Sequence, residues 1–187
     1  MSTATPMPEQ GRAGLSLPSP INMDWTFPDR DVPLPVYLLV QAPSSPTSSS
    51  LAGVGPAQTW RDLHWSLSWQ PAEGAWRHVQ VDMYDVKTDP APQPRYVFWG
   101  ARTTTADAAA EGSAARLELG TLARDERRRV EQMAWEVPVM YPNGEWNCQN
   151  WVRGLFERMV EAGLVKQERV DEVVKVAETV HGDLPVP

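Results

Sequence analysis

The chain predicts an α+β domain in which an antiparallel sheet packs against a helix beginning at Cys148 and against flanking helices. Two segments of strict apolar/polar alternation, 64–69 and 76–84, sit either side of turn residues and give the sheet. Apolar residues at helical spacing from Cys148 onward give the helix. Length supplies the third observation: 187 residues, 42% of them hydrophobic and 22% charged, suit one globular domain with a substantial core. Residues 1–30 read as a disordered Pro/Ser-rich tail, 31–181 as the single α+β domain, and 182–187 as a C-terminal tail.

Taken in order, residues 1–30 show little periodicity, and only Trp25 and Phe27 at their end suggest docking. Residues 32–41 have strand composition. Pro33 and Pro35 cannot donate to a ladder, so the strand is expected from Val36, with its first residues at a sheet edge. Residues 42–58, dense in Ser, Pro and Gly, form a long surface loop. In 64–69, His64, Ser66 and Ser68 face one way and Trp65, Leu67 and Trp69 the other. In 76–84, His78, Gln80 and Asp82 lie opposite Val79, Val81 and Met83, and Pro71 to Gly74 make a hairpin turn.

A third strand is expected within 95–105 after the Pro-rich link 89–94, and a short fourth at 115–119. Residues 122–135 read as a helix with Val130 and Met133 inward, and Val137 and Val139 as a short strand. Asn147 is a good N-cap for the Cys148 helix, whose inner face is Trp151, Val152, Leu155, Phe156, Met159 and Val160, and Gly163 suits its C-terminus. A last helix spans 167–180, with Val170, Val173, Val174 and Val176 toward the core. His181 follows as a surface or C-capping residue.

Composition excludes several classes of partner. The formal net charge of −7 argues against a nucleic-acid surface. Arg127, Arg128 and Arg129 sit among Asp125, Glu126 and Glu131, as on a solvated helix face. One cysteine and no basic-then-apolar leader point to a reducing, cytoplasmic location. The longest apolar run, around 36–40, is far below the ~20 residues of a spanning helix, so no integral membrane anchor is expected. No cofactor or metal is called for.

Chemistry concentrates at Cys148. A thiol in the first helical turn lies among unpaired backbone N–H groups, which favour the thiolate. The same position, beside Trp151 and Leu155, also suits a small core residue. A base would decide between these readings. If the hairpin aligns its apolar faces, His64 and His78 emerge together on the polar face. A wide turn sets Asp82 or Gln80 beside His64; a tighter one sets His78 there. Nine tryptophans fill a core or line an apolar pocket, and Trp65, Trp69 and Trp146 are the candidate substrate-binding walls.

His64-Trp65, then His78, then Asn147-Cys148-Gln149-Asn150-Trp151-Val152 resemble, in order and context, the circularly permuted papain-like thiol enzymes typified by lecithin retinol acyltransferase. Those carry His-Trp or His-Tyr on one strand, a second histidine on the next, and Asn-Cys-Glu-His-Phe-Val at the helix. Permuted papain-fold peptidases acting on ubiquitin-like modifiers are also similar, as are small fungal proteins with Asn-Cys-Gln-Asp-Trp helices. The resemblance implies Cys148 as nucleophile, His64 as general base and His78 as the member that orients it, with Asp82 as substitute for that third role. It also implies the Cys148 backbone N–H as one oxyanion donor. Gln149 and Asn150 depart from the family's Glu and His, and the membrane tail of the lipid acyltransferases is missing.

The expected function is therefore a cysteine-dependent hydrolase or acyltransferase acting on an acyl, amide or thioester bond of a soluble, partly apolar small-molecule or acyl substrate. The alternative is a non-covalent binding or biosynthetic-accessory protein, cyclase-like, using the same fold as an apolar pocket. A protein partner docking on the proline-rich tail is a third reading.

Overall fold

The computed structural model describes residues 5–41, 60–86, 93–105 and 114–180. The expected loop 42–58, most of the link 89–94, His181 and the C-terminal tail lie outside them. Among the described residues the fold is α+β: a five-stranded antiparallel sheet, a two-stranded sheet and three helices. The strands are β1 (Leu34–Gln41), β2 (His64–Ala72), β3 (Ala75–Val79), β4 (Asp82–Val86), β5 (Gln93–Val97), β6 (Arg102–Thr105) and β7 (Ala115–Leu122). The helices are α1 (Arg124–Glu136), α2 (Cys148–Glu161) and α3 (Gln167–Ala177).

The large sheet runs β6-β3-β2-β1-β7, and β4 pairs only with β5. β1 begins at Leu34 rather than at the expected Val36. It is an interior strand, but its first two residues pair with β7 alone and so lie at an edge on the β2 side, as expected. Its prolines are tolerated because pairing with β2 starts at Val36, opposite Trp69, beyond Pro35. The β2–β3 turn is only Glu73-Gly74, Gly74 taking the left-handed φ of 68° that such a turn requires. Pro71, expected in the turn, instead falls in the register irregularity between Trp69 and Ala72, where no ladder donor is needed.

The second alternating segment does not form one strand. It breaks at Gln80 and Val81, and Asp82 continues it in the other sheet. Residues 95–105 likewise divide between the two sheets, as β5 and β6.

One face of the large sheet, with Val36, Leu38, Val40, Trp65, Leu67, Trp69 and Val79, forms a single core with Trp151, Val152, Leu155, Phe156 and Met159 of α2. Phe98 joins it, its ring 4.9 Å from that of Trp151. α2 ends at Gly163, φ 70°, with Leu164 N–H donating to the Met159 carbonyl at 2.9 Å. In α3, Val170, Val173 and Ala177 are buried, whereas Val176 faces solvent.

The expectation of a disordered tail over 1–30 is corrected from Thr5 onward. Residues 5–7 pair with 139–141 through Met7 N–H to Val139 O, 2.7 Å, and Tyr141 N–H to Thr5 O, 2.8 Å. Val137 and Val139 are buried beside this pairing. Farther along, Asp29 accepts from the fully buried Arg127 at 2.8 Å and from the Trp69 indole at 3.1 Å. Asp24 binds the buried Arg77, which also holds Glu131. Composition had failed to register two acids that neutralise buried arginines. Arg127, read as solvated, is completely enclosed and also donates to the backbone carbonyls of Arg30, Val32 and Leu122.

Candidate active site

The start of α2 is fixed by side chains on both sides of the thiol. Asn147 accepts from the backbone N–H groups of Gln149 and Asn150, and Asn150 Oδ1 returns a bond to Asn147 N–H at 3.0 Å. This reciprocal cap gives Asn150 a role. Gln149 has another: its buried amide donates to the carbonyls of Trp60, 2.7 Å, and Leu63, 3.0 Å. The two departures from the Glu-His pattern thus bind the helix start to the chain entering β2.

His64 opens β2 immediately after Leu63, so this clamp brings it to Cys148. The thiol is 8% exposed, and Sγ meets the Leu63 carbonyl at 4.0 Å, the outer limit of a sulfur hydrogen bond. Burial alone pushes the Cys148 thiol up. It is overcome by hydrogen bonding to and charge on His64 and by the backbone N–H groups of Trp65 and Gln149, so the net direction is down. His64 moves the other way. Burial works to lower it, but the contact with Cys148, the hydrogen bond that His64 donates to Gln80 and the Asp82 charge raise it.

Both shifts favour a thiolate–imidazolium pair. His64 Nε2 is nonetheless buried with no hydrogen-bond partner among the described residues.

The third member expected from the sequence is corrected. His78 pairs with Ser68 rather than with His64, its Nδ1 2.9 Å from Ser68 Oγ, which in turn lies 3.1 Å from Ser66 Oγ. Burial, with Arg102 and His64 nearby, pushes His78 down to about 4, so it is neutral at pH 7. Gln80 occupies the place beside His64. Its Nε2 donates to Asp82 Oδ1 at 2.7 Å, and Asp82 Oδ2 is held by Arg102 at 2.5 Å. Asp82 therefore acts on His64 through Gln80 and through its charge.

The tryptophans separate. Trp65 and Trp69 are fully buried core residues: Arg153 stacks over Trp65, 5.2 Å from its centroid, and Trp69 is tied to Asp29. Neither is a pocket wall. Trp146 is only partly buried, its N–H held at 2.8 Å by Asn143 Oδ1, and its ring meets Tyr96 edge-to-face at 5.2 Å. Tyr96, on β5, feels the Cys148 charge.

Neither Gln80 nor Tyr96 was among the site residues expected. Gln80 was expected beside His64 only for a wide turn, yet the turn is the tight Glu73-Gly74 and its register sets His78 opposite Ser68 instead. Nothing in the alternation around Tyr96 relates it to a helix fifty residues away. Among the described residues no helix is long and apolar enough to cross a membrane. No protein-family model, curated protein or solved structure matches this chain.

Proposed function

We propose that this chain is a cysteine-dependent hydrolase or acyltransferase, with Cys148 as nucleophile and His64 as its proton partner. It acts on an acyl, amide or thioester bond of a partly apolar substrate. The observation that carries the reading is the clamp of Gln149 on the Leu63 carbonyl, which sets the buried Cys148 thiol, 4.0 Å from that carbonyl, beside the strand that His64 opens; the opposite shifts of the two groups, thiol down and imidazole up, agree with it. The order of elements, with the histidine strand before the thiol helix, supports a permuted papain-like arrangement similar to the lecithin retinol acyltransferase group. A lone cysteine kept as a thiol fits a cytoplasmic setting.

In the first step the Cys148 thiolate attacks the carbonyl carbon. A C–S bond forms and the π pair moves to oxygen. As the tetrahedral adduct collapses, the bond to the leaving group breaks and that group takes the proton from imidazolium His64. In the second step neutral His64 removes a proton from water, or from an acceptor alcohol or amine, which attacks the acyl thioester and releases the thiolate. Gln80, Asp82 and Arg102 hold the imidazole throughout. Trp146 offers an apolar wall to the acyl portion.

The test is turnover of a panel of p-nitrophenyl acyl esters and acyl thioesters by the wild type and by Cys148→Ser. Turnover by the wild type with loss of at least a hundredfold in a folded Cys148→Ser protein is expected. Unimpaired turnover in that variant refutes the reading, and binding of an apolar ligand indifferent to thiol alkylation would replace it.

A further inference from the structure

We infer that residues 15–21, Leu-Ser-Leu-Pro-Ser-Pro-Ile, form a docking segment presented as a polyproline II helix, and that its partner is a protein domain with an aromatic-lined groove for that helix, of the SH3 or WW kind. This role is separate from the chemistry at Cys148.

The conformation follows from the residue order. Pro18 and Pro20 each hold φ at about −65°. The residues before them, Leu17 and Ser19, are pushed by the following ring toward extended or polyproline II angles and away from the helical region. Residues 17–20 thus share one choice of backbone, and residues 15–23 accordingly carry no helix, strand or turn. A polyproline II helix has about three residues per turn, so positions three apart lie on one ridge. Leu15, Pro18 and Ile21 make one apolar ridge, Leu17, Pro20 and Met23 a second, and Ser16, Ser19 and Asn22 the polar third. Adjacent apolar ridges are what an aromatic groove accepts.

The fold displays this segment and ties down both of its ends. Pro20 and Met23 are half-buried, whereas Leu17, Pro18 and Ile21 are exposed, Leu17 by 42% and Ile21 by 79%. Those three side chains are the contacts offered. At one end Arg95 of β5 donates to the Ala13 carbonyl at 2.7 Å, and Leu15 N–H donates to the Arg12 carbonyl at 3.0 Å. At the other, Thr103 of β6 gives its N–H to Asn22 Oδ1 at 2.9 Å and accepts from Met23 N–H at 2.8 Å, and Asp24 pairs with the buried Arg77. Held between these anchors, the segment has little freedom left to lose on binding, which is the advantage of preorganisation. The formal net charge of −7 disfavours an anionic membrane as the occupant.

The experiment titrates a panel of purified SH3 and WW domains into the whole, isotope-labelled chain and follows its amide resonances. At least one domain is expected to shift the resonances of Leu15, Leu17 and Ile21. Its affinity should fall about tenfold or more in Pro18→Ala/Pro20→Ala and stay within about twofold in Pro28→Ala, an exposed proline outside the segment. Ile21→Ser, which leaves both prolines in place, should weaken the same complex about threefold or more. Urea midpoints equal to that of the wild type establish that the variants are folded. A panel in which no domain moves these resonances overturns the inference, as does binding that ignores the proline and Ile21 variants alike. Shifts produced instead by phosphatidylcholine vesicles make the segment a membrane contact and overturn it too.

Discussion

Gln80 gives its amide Nε2 to Asp82 Oδ1 at 2.7 Å, which leaves its carbonyl oxygen as the group turned to the imidazole of His64. A carbonyl acceptor favours the protonated ring, the direction in which His64 is shifted. The amide is oriented in turn because Arg102 holds the second carboxylate oxygen of Asp82. The end of β3 at Val79, before Asp82 begins β4 of the other sheet, leaves Gln80 in the link between the two sheets.

Gln80→Ala removes that acceptor without touching the thiol. Loss of a hydrogen bond to a charged group, about 1.5–3 kcal/mol, corresponds to a fall of roughly ten- to a hundredfold in kcat/KM. The pH midpoint of Cys148 alkylation should rise at the same time, since a less basic His64 stabilises the thiolate less. A variant with the wild-type midpoint would show that Gln80 merely fills space.

The rate of acylation should follow a bell in pH. Cys148 lies below the free-thiol value of ~8.5 and His64 above ~6.5. Both shifts therefore favour the thiolate–imidazolium pair, and the two groups titrate as a unit. The rate rises as the lowered thiol loses its proton and falls as the raised imidazole loses its own. The sign for stability follows group by group. The His64 contribution is complete below ~6.5 and disappears as pH rises through its folded value; that of Cys148 is complete above ~8.5 and disappears as pH falls through its folded value. In His64→Ala, burial of the thiol is no longer opposed by the imidazole, so its alkylation midpoint should move upward from that of the wild type. Stopped-flow alkylation across pH 4–10 measures both arms.

His78 predicts a different signature, one of stability. It is pushed down to about 4 in the fold, against ~6.5 when unfolded. The unfolded chain therefore binds the extra proton between these values, and stability falls as pH drops from 6.5 toward 4. The linked loss is up to ~3 kcal/mol. Urea midpoints at pH 7 and pH 4.5 should show this slope in the wild type and not in His78→Gln, which retains a polar partner for Ser68. If His78 instead oriented His64, His78→Gln would shift the alkylation profile, and it should not.

The outline of this fold was legible because period-two and period-3.6 patterns are local. The helix start at Cys148 follows from Asn147, the apolar spacing and Gly163, and each appears in the structure as expected. Pairings across the chain were not legible. Whether His64 sits by His78 or Gln80 depends on the two-residue turn at Glu73-Gly74 and on the irregularity at Pro71, and the sequence alone left both possibilities open. Residues 5–30 looked disordered because disorder is judged from apolar content, whereas this segment is held largely by hydrogen bonds and by ion pairs to Arg77 and Arg127. Trp65 and Trp69 face the core because helix α2 needs that face of β2, not because of anything in their own neighbourhood.

Asp29→Ala tests how firmly the N-terminal segment is built in. Arg127 is wholly buried and pairs with the Asp29 carboxylate, so removal leaves an enclosed charge facing backbone carbonyls and the Trp69 ring but no carboxylate among its described partners. Breaking such a pair costs about 3–5 kcal/mol. The variant should unfold at markedly lower urea than wild type, and Asp29→Asn should recover part of the loss by keeping an acceptor for Arg127 and for the Trp69 indole. A change under about 0.5 kcal/mol would mean that this segment is a dispensable strap.

Gly11→Ala carries the same question to the site. Gly11 sits at φ 82° after Glu9 and Gln10, which are also left-handed at 51° and 56°, so the chain makes a tight turn of the wrong hand for L residues. That turn survives because Gln10 is bonded at three points: its carbonyl to Phe98 N–H, and its side chain to Trp135 O and Val139 N–H. A methyl at Gly11 adds roughly 1–2 kcal/mol of backbone strain and collides with the Tyr96 carbonyl. The collision can be relieved only by moving β5 or by releasing the turn. In either case Tyr96 and its partner ring Trp146 shift relative to Cys148. Gly11→Ala should therefore lower esterase kcat while Cys148 alkylation at pH 7 changes less than threefold, since the helix start is capped by Asn147 and fastened by Gln149 to the Leu63 carbonyl. Quenching of Trp146 fluorescence by acrylamide, read against a Trp146→Phe control, reports the displacement. Unaltered turnover together with unaltered quenching would mean that the N-terminal turn does not position the site.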